Sequence, residues 1–119
     1  MTGDIIQLRP SEKEFQAAVI QYAEHLGWQV AHFNDSRRQI APGVHVGDRQ
    51  AAGFPDLVLV RNGRLIFAEL KSDTGRVRPG QRRWLTALGR VEDAAPGVVL
   101  VGVWTPASWP SIRLILGAS

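Results

Sequence analysis

At 119 residues the chain is the size of one domain, leaving no room for a second independent core. An apolar fraction of 45% and a mean hydropathy of −0.08 exclude a disordered polymer, and no apolar run approaches the ~20 residues of a membrane span. Cysteine is absent, which excludes a disulfide scaffold and thiolate chemistry and makes the cytoplasm the expected compartment. Fourteen Lys+Arg against eleven Asp+Glu give a net charge of only +3, yet the sequence pI is about 10.2 and nearly all the positive charge is arginine. The arginines gather in connecting segments, Arg37, Arg38 and Arg49 in one, Arg76 and Arg78 in another, then Arg82 and Arg83. A planar fork that bonds two phosphate oxygens suits contact with a nucleic-acid backbone, although on charge alone a solvated surface is the favoured reading.

Residues 1–10 lack the basic start and apolar stretch of a signal peptide and read as a tail or short lead-in strand ending at Pro10. Ser11-Glu12-Lys13-Glu14 fits a capping box, with Ser11 as the cap and Glu14 reaching back to it. Phe15, Val19, Tyr22 and Leu26 then recur at helical spacing, and Gly27 ends the helix. Residues 28–33 read as a strand. A long polar stretch follows from Asn34 to Gly53, and loops of that length in compact domains are usually functional.

Two short apolar runs come next, Leu57-Val58-Leu59-Val60 and Leu65-Ile66-Phe67-Ala68, joined through Asn62-Gly63, the strongest short hairpin signal. Both are apolar throughout, which predicts central strands covered on both faces. After the loop from Ser72 to Arg78, Pro79 is suited to the first turn of a helix. That helix carries Gln81, Trp84, Leu85 and Leu88 on one face and is expected to end near Gly89. Residues 97–104 predict a further buried strand, and Ser111 to Leu116 a final strand or short helix. The order αβββαβ describes an α/β fold with a mixed central sheet flanked by helices.

A two-residue turn at Asn62-Gly63 pairs Arg61 with Arg64 and, counting outward, sets Asp56 directly opposite Glu69. Opposed side chains have Cβ atoms about 4.5–5.5 Å apart, where like charges repel. Lys71, two positions beyond Glu69, projects to the same face. Two carboxylates and a lysine therefore converge where an apolar hairpin opens into polar loops. Hard oxygen donors of this kind take Mg²⁺ or Mn²⁺, which would turn the repulsion into a binding site. The competing reading makes Asp56 a turn residue after Pro55, with Glu69 and Lys71 an exposed strand end.

Gly53-Phe54-Pro55-Asp56-Leu57, Ala68-Glu69-Leu70-Lys71 and Arg78-Pro79-Gly80-Gln81 together resemble the signature of VRR-NUC domains. These form a branch of the PD-(D/E)xK nucleases found in phage proteins and in some DNA-repair enzymes. The likeness in residue type and order runs from about Ser11 to Trp104. It implies a restriction-endonuclease-like core and Mg²⁺/Mn²⁺-dependent hydrolysis of DNA phosphodiesters. Asp56 and Glu69 would be metal ligands, with the carbonyl of Leu70 a third, and Lys71 would act on the attacking water or on transition-state charge. The family also uses a glutamate from the first helix. Glu12 shares the inward arc of that helix, whereas Glu14 is already explained by the capping box, so Glu12 is the expected catalytic and metal-binding residue. A glutamine at the position of Gln81 helps complete the family's active site; the alternative is a side chain capping a free backbone amide.

His25, His32 and His45 lack metal-ligand spacing and read as surface or satisfied core groups, with His45 able to touch DNA. Trp28, Trp84 and Trp104 are expected in the core, and Trp109, between Ser108 and Pro110, is expected to be exposed. The leading expectation is a metal-dependent endonuclease on branched DNA such as a Holliday junction. Arg37, Arg38, Arg49, Arg76, Arg78 and Arg82 would grip phosphates, giving recognition of shape over sequence. One site per chain implies a homodimer for paired cuts, with residues 98–116 as the guessed seam. No membrane and no small-molecule cofactor are expected, and a phage-encoded chain would act in the bacterial cytoplasm. The alternative is a non-catalytic DNA-binding module of the same fold; a small-molecule hydrolase is disfavoured by the arginine-rich loops.

Overall fold

The computed structural model describes residues 9–33 and 52–118. Helix α1 (Glu12–His25) opens on the expected capping box. The Glu14 amide donates to Ser11 Oγ at 3.0 Å and the Ser11 amide to Glu14 Oε1 at 2.8 Å. Gly27, at φ +89°, turns the chain after Leu26 into strand β1 (Gln29–His32). Strands β2 (Leu57–Arg61) and β3 (Arg64–Leu70) form the hairpin. Its two-residue turn holds Asn62 at φ 49° and Gly63 at φ 77°, the paired left-handed conformations that Asn-Gly favours. Helix α2 (Pro79–Ala94) crosses to strand β4 (Val99–Trp104), and after a 3₁₀ turn at Pro106–Ser108 helix α3 (Trp109–Gly117) follows.

The sheet has the order β1-β2-β3-β4, antiparallel except for the parallel β3–β4 pair. It is therefore a mixed, open, four-stranded sheet with helices on its faces, the arrangement of a restriction-endonuclease-like core. The hairpin register is the expected one, from Arg61 opposite Arg64 to Leu57 opposite Ala68.

The two faces are packed differently. One carries Leu57, Leu59, Ile66, Ala68 and Leu70 against Phe15, Val19 and Ala23 of α1 and Ile112 and Leu116 of α3, closed by Trp28 and Trp104. Each large side chain there contributes about 1.5–3 kcal/mol through burial. The other face is covered by α2, none of whose residues is fully buried. There Phe54 fills the gap, its ring edge-on to Phe67 at 6.0 Å and to Trp84 at 5.0 Å.

The three described helices run the same way along the sheet. The Leu26 carbonyl just past α1 and the Ala118 carbonyl just past α3 both accept from Arg61 at the hairpin turn, and Ala118 also accepts from Arg64. Residues after α2 return to the turn end as well, where Leu65 donates to the Val98 carbonyl. The helix N-termini, with their unpaired amides, accordingly face the opposite end, where β3 and β4 finish.

Three sequence expectations change, and one open choice is settled. Helix α2 continues through Gly89 to Ala94, because a glycine without positive φ costs only about 1 kcal/mol in a helix and does not end it. Among the described residues, strand β4 has a partner strand on one side only, so it lies at the sheet edge and is mostly half-buried, not interior. Trp109 packs edge-on to Phe15 at 5.9 Å and to Tyr22 at 5.8 Å, against the core instead of standing out from it. The segment from Ser111 to Leu116 is helical, with Pro110 in its first turn and Ile112 and Leu116 one turn apart on its buried side.

Candidate active site

The last residue before β2 and the last residues of β3 meet at the end of the sheet to which the helix N-termini point. The hairpin register, continued one pair beyond Leu57–Ala68, sets Asp56 opposite Glu69. Asp56 is held by the Leu70 amide, which donates to Oδ2 at 2.9 Å. Glu69 is 1% exposed. Its Oε2 accepts from Gln81 Nε2 at 2.8 Å and lies 3.4 Å from Lys71 Nζ. Its Oε1 is buried and meets no donor. Lys71 is itself 7% exposed and is tied to β4 by its amide, which donates to the Trp104 carbonyl at 2.9 Å.

The electrostatics follow from that crowding. Burial, then the facing charge of Asp56, pushes Glu69 up to about 8, while Lys71 pulls the other way. Asp56 is also raised, by burial above all, against the Leu70 amide, the Lys71 charge, the adjoining Glu69 carboxyl and the more distant His32. Near neutrality Glu69 thus keeps its proton, so the two carboxyls do not both carry charge. A buried lysine beside two carboxylates that cannot both ionise cheaply is the pattern of a catalytic cluster. The same hard oxygen donors, one without a partner, suit a divalent cation.

Gln81 fills both roles that its position offered. Its Oε1 accepts from the Arg78 amide at 2.8 Å, capping α2, and this aims its amide nitrogen at Glu69. Gly53 sets that helix start in place. At φ +84° it runs so close to α2 that a Cβ there would fall 2.6 Å from the Gly80 oxygen and the Gln81 nitrogen. The glycine ahead of Phe54-Pro55-Asp56 therefore matters for packing as well as for its turn.

The expected residues are not all brought together. Asp56, Glu69, Lys71 and Gln81 converge. Glu12 shares the arc of Phe15 and Val19 but precedes the core by a turn, so it overhangs the sheet end and is exposed. Among the described residues no third acid or histidine closes with Asp56 and Glu69 into a metal-sized group. Of the candidate phosphate contacts, Arg76, Arg78 and Arg82 are exposed around the α2 start, whereas Arg37, Arg38, Arg49 and His45 lie outside the described residues. His32, read from sequence as a bland residue, sits at this end instead. Its Nε2 is 2.7 Å from Gln16 Nε2, one helical turn past Glu12, and its charge reaches Asp56. Only the strand register could have signalled this, because His32 pairs with Leu57 beside the acidic residue.

Compared with family models, the chain matches the one described as the VRR-NUC domain over residues 4–99, a span that contains every one of these side chains. Comparisons with curated proteins and with solved structures return no match.

Proposed function

On the premise that the chain belongs to the VRR-NUC domain family and so carries a nuclease-type domain acting on DNA, we propose that it is an Mg²⁺- or Mn²⁺-dependent endodeoxyribonuclease cutting branched DNA such as a Holliday junction. The observation that carries this reading is the opposed Asp56–Glu69 pair with Lys71 at its side and one buried carboxylate oxygen lacking a donor. Asp56, Glu69 and the carbonyl of Leu70 would hold the ion, with Glu12 reaching in from the α1 start. When bound, the ion would acidify water and offset charge growing on the phosphodiester.

The chain's own groups account for the rest. Glu69 must release its proton to serve as a ligand, and Gln81 and Lys71 hold its Oε2 while it does so. The Leu70 amide fixes the Asp56 carboxylate. Lys71 orients the attacking water or holds negative charge on the phosphate in the transition state. Three helix N-termini and exposed Arg76, Arg78 and Arg82 favour a phosphate backbone at this end. Cutting two strands of a junction would take two such sites, hence a homodimer. No described helix is long and apolar enough to cross a membrane.

The test is cleavage of labelled branched, nicked, linear and single-stranded DNA with Mg²⁺ or Mn²⁺. Asp56→Ala and Lys71→Ala should each lower the rate by at least about 100-fold. Cutting that survives Asp56→Ala overturns this active site. Tight binding with no cutting under any condition favours the non-catalytic DNA-binding module.

A further inference from the structure

The strand registers place four residues in one row across the end of the sheet. Glu69 pairs with Val103 on β4 and, by continuation of the hairpin, stands opposite Asp56. The β1–β2 register, which pairs His32 with Leu57, continues to Phe33 opposite Asp56, and the Phe33 amide donates to the Asp56 carbonyl at 2.9 Å. The row reads Phe33, Asp56, Glu69, Val103, and side chains in such a row share a face. The acidic pair is thus flanked by two apolar side chains that both stand open, Phe33 at 45% and Val103 at 39% exposed.

Phe33 is the more telling. An isolated exposed apolar residue calls for no explanation, but this one is a strand's width, about 5 Å, from a catalytic carboxylate. It is also backed. Its ring meets Phe54 edge-on at 5.4 Å, and Phe54 is held in turn by Phe67 and Trp84. An aromatic ring fixed from behind and open in front offers a π surface at little ordering cost. The exposed arginines of the α2 start, whose Gln81 bonds Glu69, belong to the same end of the sheet and suit phosphates.

Resting on the nuclease reading above, we infer that Phe33 is a stacking platform for an unpaired nucleobase of the DNA strand whose phosphate lies over Asp56 and Glu69. A base inside a duplex keeps its faces covered, whereas one at a flap, a junction or a single strand is free to stack. Sequence tolerance follows, since every base has a π face. The chain would therefore select substrates by unpaired character next to the cut and not by base identity.

The test is binding, with chelator present, of single-stranded, flapped and fully duplex DNAs carrying 2-aminopurine beside the cut position. Phe33→Ala should weaken binding of the single-stranded and flapped DNAs by about tenfold or more and abolish the aminopurine quenching, leaving duplex affinity and the salt slope unchanged. Phe33→Leu keeps the apolar contact with Phe54 and should fail in the same way, while Phe33→Trp should restore both signals. Unchanged single-strand affinity in Phe33→Ala, or equal losses on all three DNAs, overturns the inference. If the wild type cuts DNA in metal yet Phe33→Ala behaves as wild type, the platform alone is wrong. If the wild type neither binds nor cuts DNA, the nuclease reading falls with it.

Discussion

The β2–β3 hairpin carries a pair of like charges at each end, and the protein treats the two pairs in opposite ways. At the turn, Arg61 faces Arg64, and both guanidinium groups have compensation close by. They lie over the Trp28 ring at 4.7 and 5.9 Å and donate to the carbonyls of Leu26 and Ala118, which follow helix C-termini. At the open end Asp56 faces Glu69, buried, with a donor missing and a proton retained. The first pair is met by one aromatic ring and helix carbonyls, with the Arg61 Nε buried and unpartnered; the second keeps a carboxylate oxygen unpartnered and is eased by a retained proton. Natural folds carry such raised carboxyl pairs where function requires them, and the open end is where the proposed chemistry would take place.

The sharpest way to break the contrast is Glu69→Gln. A neutral amide there can donate to Asp56 and removes the repulsion, so cutting should fall by at least about 100-fold while the metal-free protein gains stability above pH 8. Thermal melts at pH 5 and pH 9 beside cleavage assays would check it; equal melting shifts at both pH values would argue against the raised carboxyl. Next in size, Arg61→Leu should remove the clamp on Leu26 and Ala118 and the contact with Trp28. We expect a loss of about 2 kcal/mol in chemical denaturation with little change in cutting rate. A similar loss of cutting would mean that the two ends are coupled.

The wild type carries a pH signature of its own. Glu69 and Asp56 both have folded values above their unfolded ones. The folded state therefore binds the extra proton, and its stability is fully present below the unfolded carboxyl range and declines as pH rises toward about 8. Melting curves in chelator should show this decline, and Mg²⁺ should flatten it, because ion binding stabilises the deprotonated pair. The smallest effect expected is that of Gly63→Ala at the turn, where nothing crowds the new methyl and only the φ of +77° opposes it. A destabilisation of about 1 kcal/mol, with activity intact, would confirm that the turn end is structural alone.

How far the sequence reached depended on how local the signal was. The capping box at Ser11, the turn at Asn62-Gly63 and the register that opposes Asp56 to Glu69 all rest on contacts a few residues apart, and each is present. Gln81 was legible as inward-facing because Trp84, Leu85 and Leu88 fix the helix face, but its double attachment to Arg78 and Glu69 depends on how α2 docks. Trp109 looked exposed between Ser108 and Pro110, because nothing in its neighbours reveals that Phe15 and Tyr22 come to meet it from α1. Gly89 looked like a helix end since glycine often is one, and only the packing of α2 over β4 shows the helix continuing. His32 read as a bland surface or core group and Phe33 only as part of a strand for the same reason. Their importance comes from the strand beside them, not from any motif around them.

The Ala118 carbonyl, pinned by Arg61 and Arg64, has a practical consequence. From Arg64 to Glu69 the strand advances five residues, about 17 Å at the usual rise, so position 118 sits a full strand length behind the acidic pair. A dye or surface tether attached there would leave the opposite rim facing solution. The molecule is thus built for immobilisation by its rear, and single-molecule observation of DNA arriving at its front would need no redesign of the scaffold.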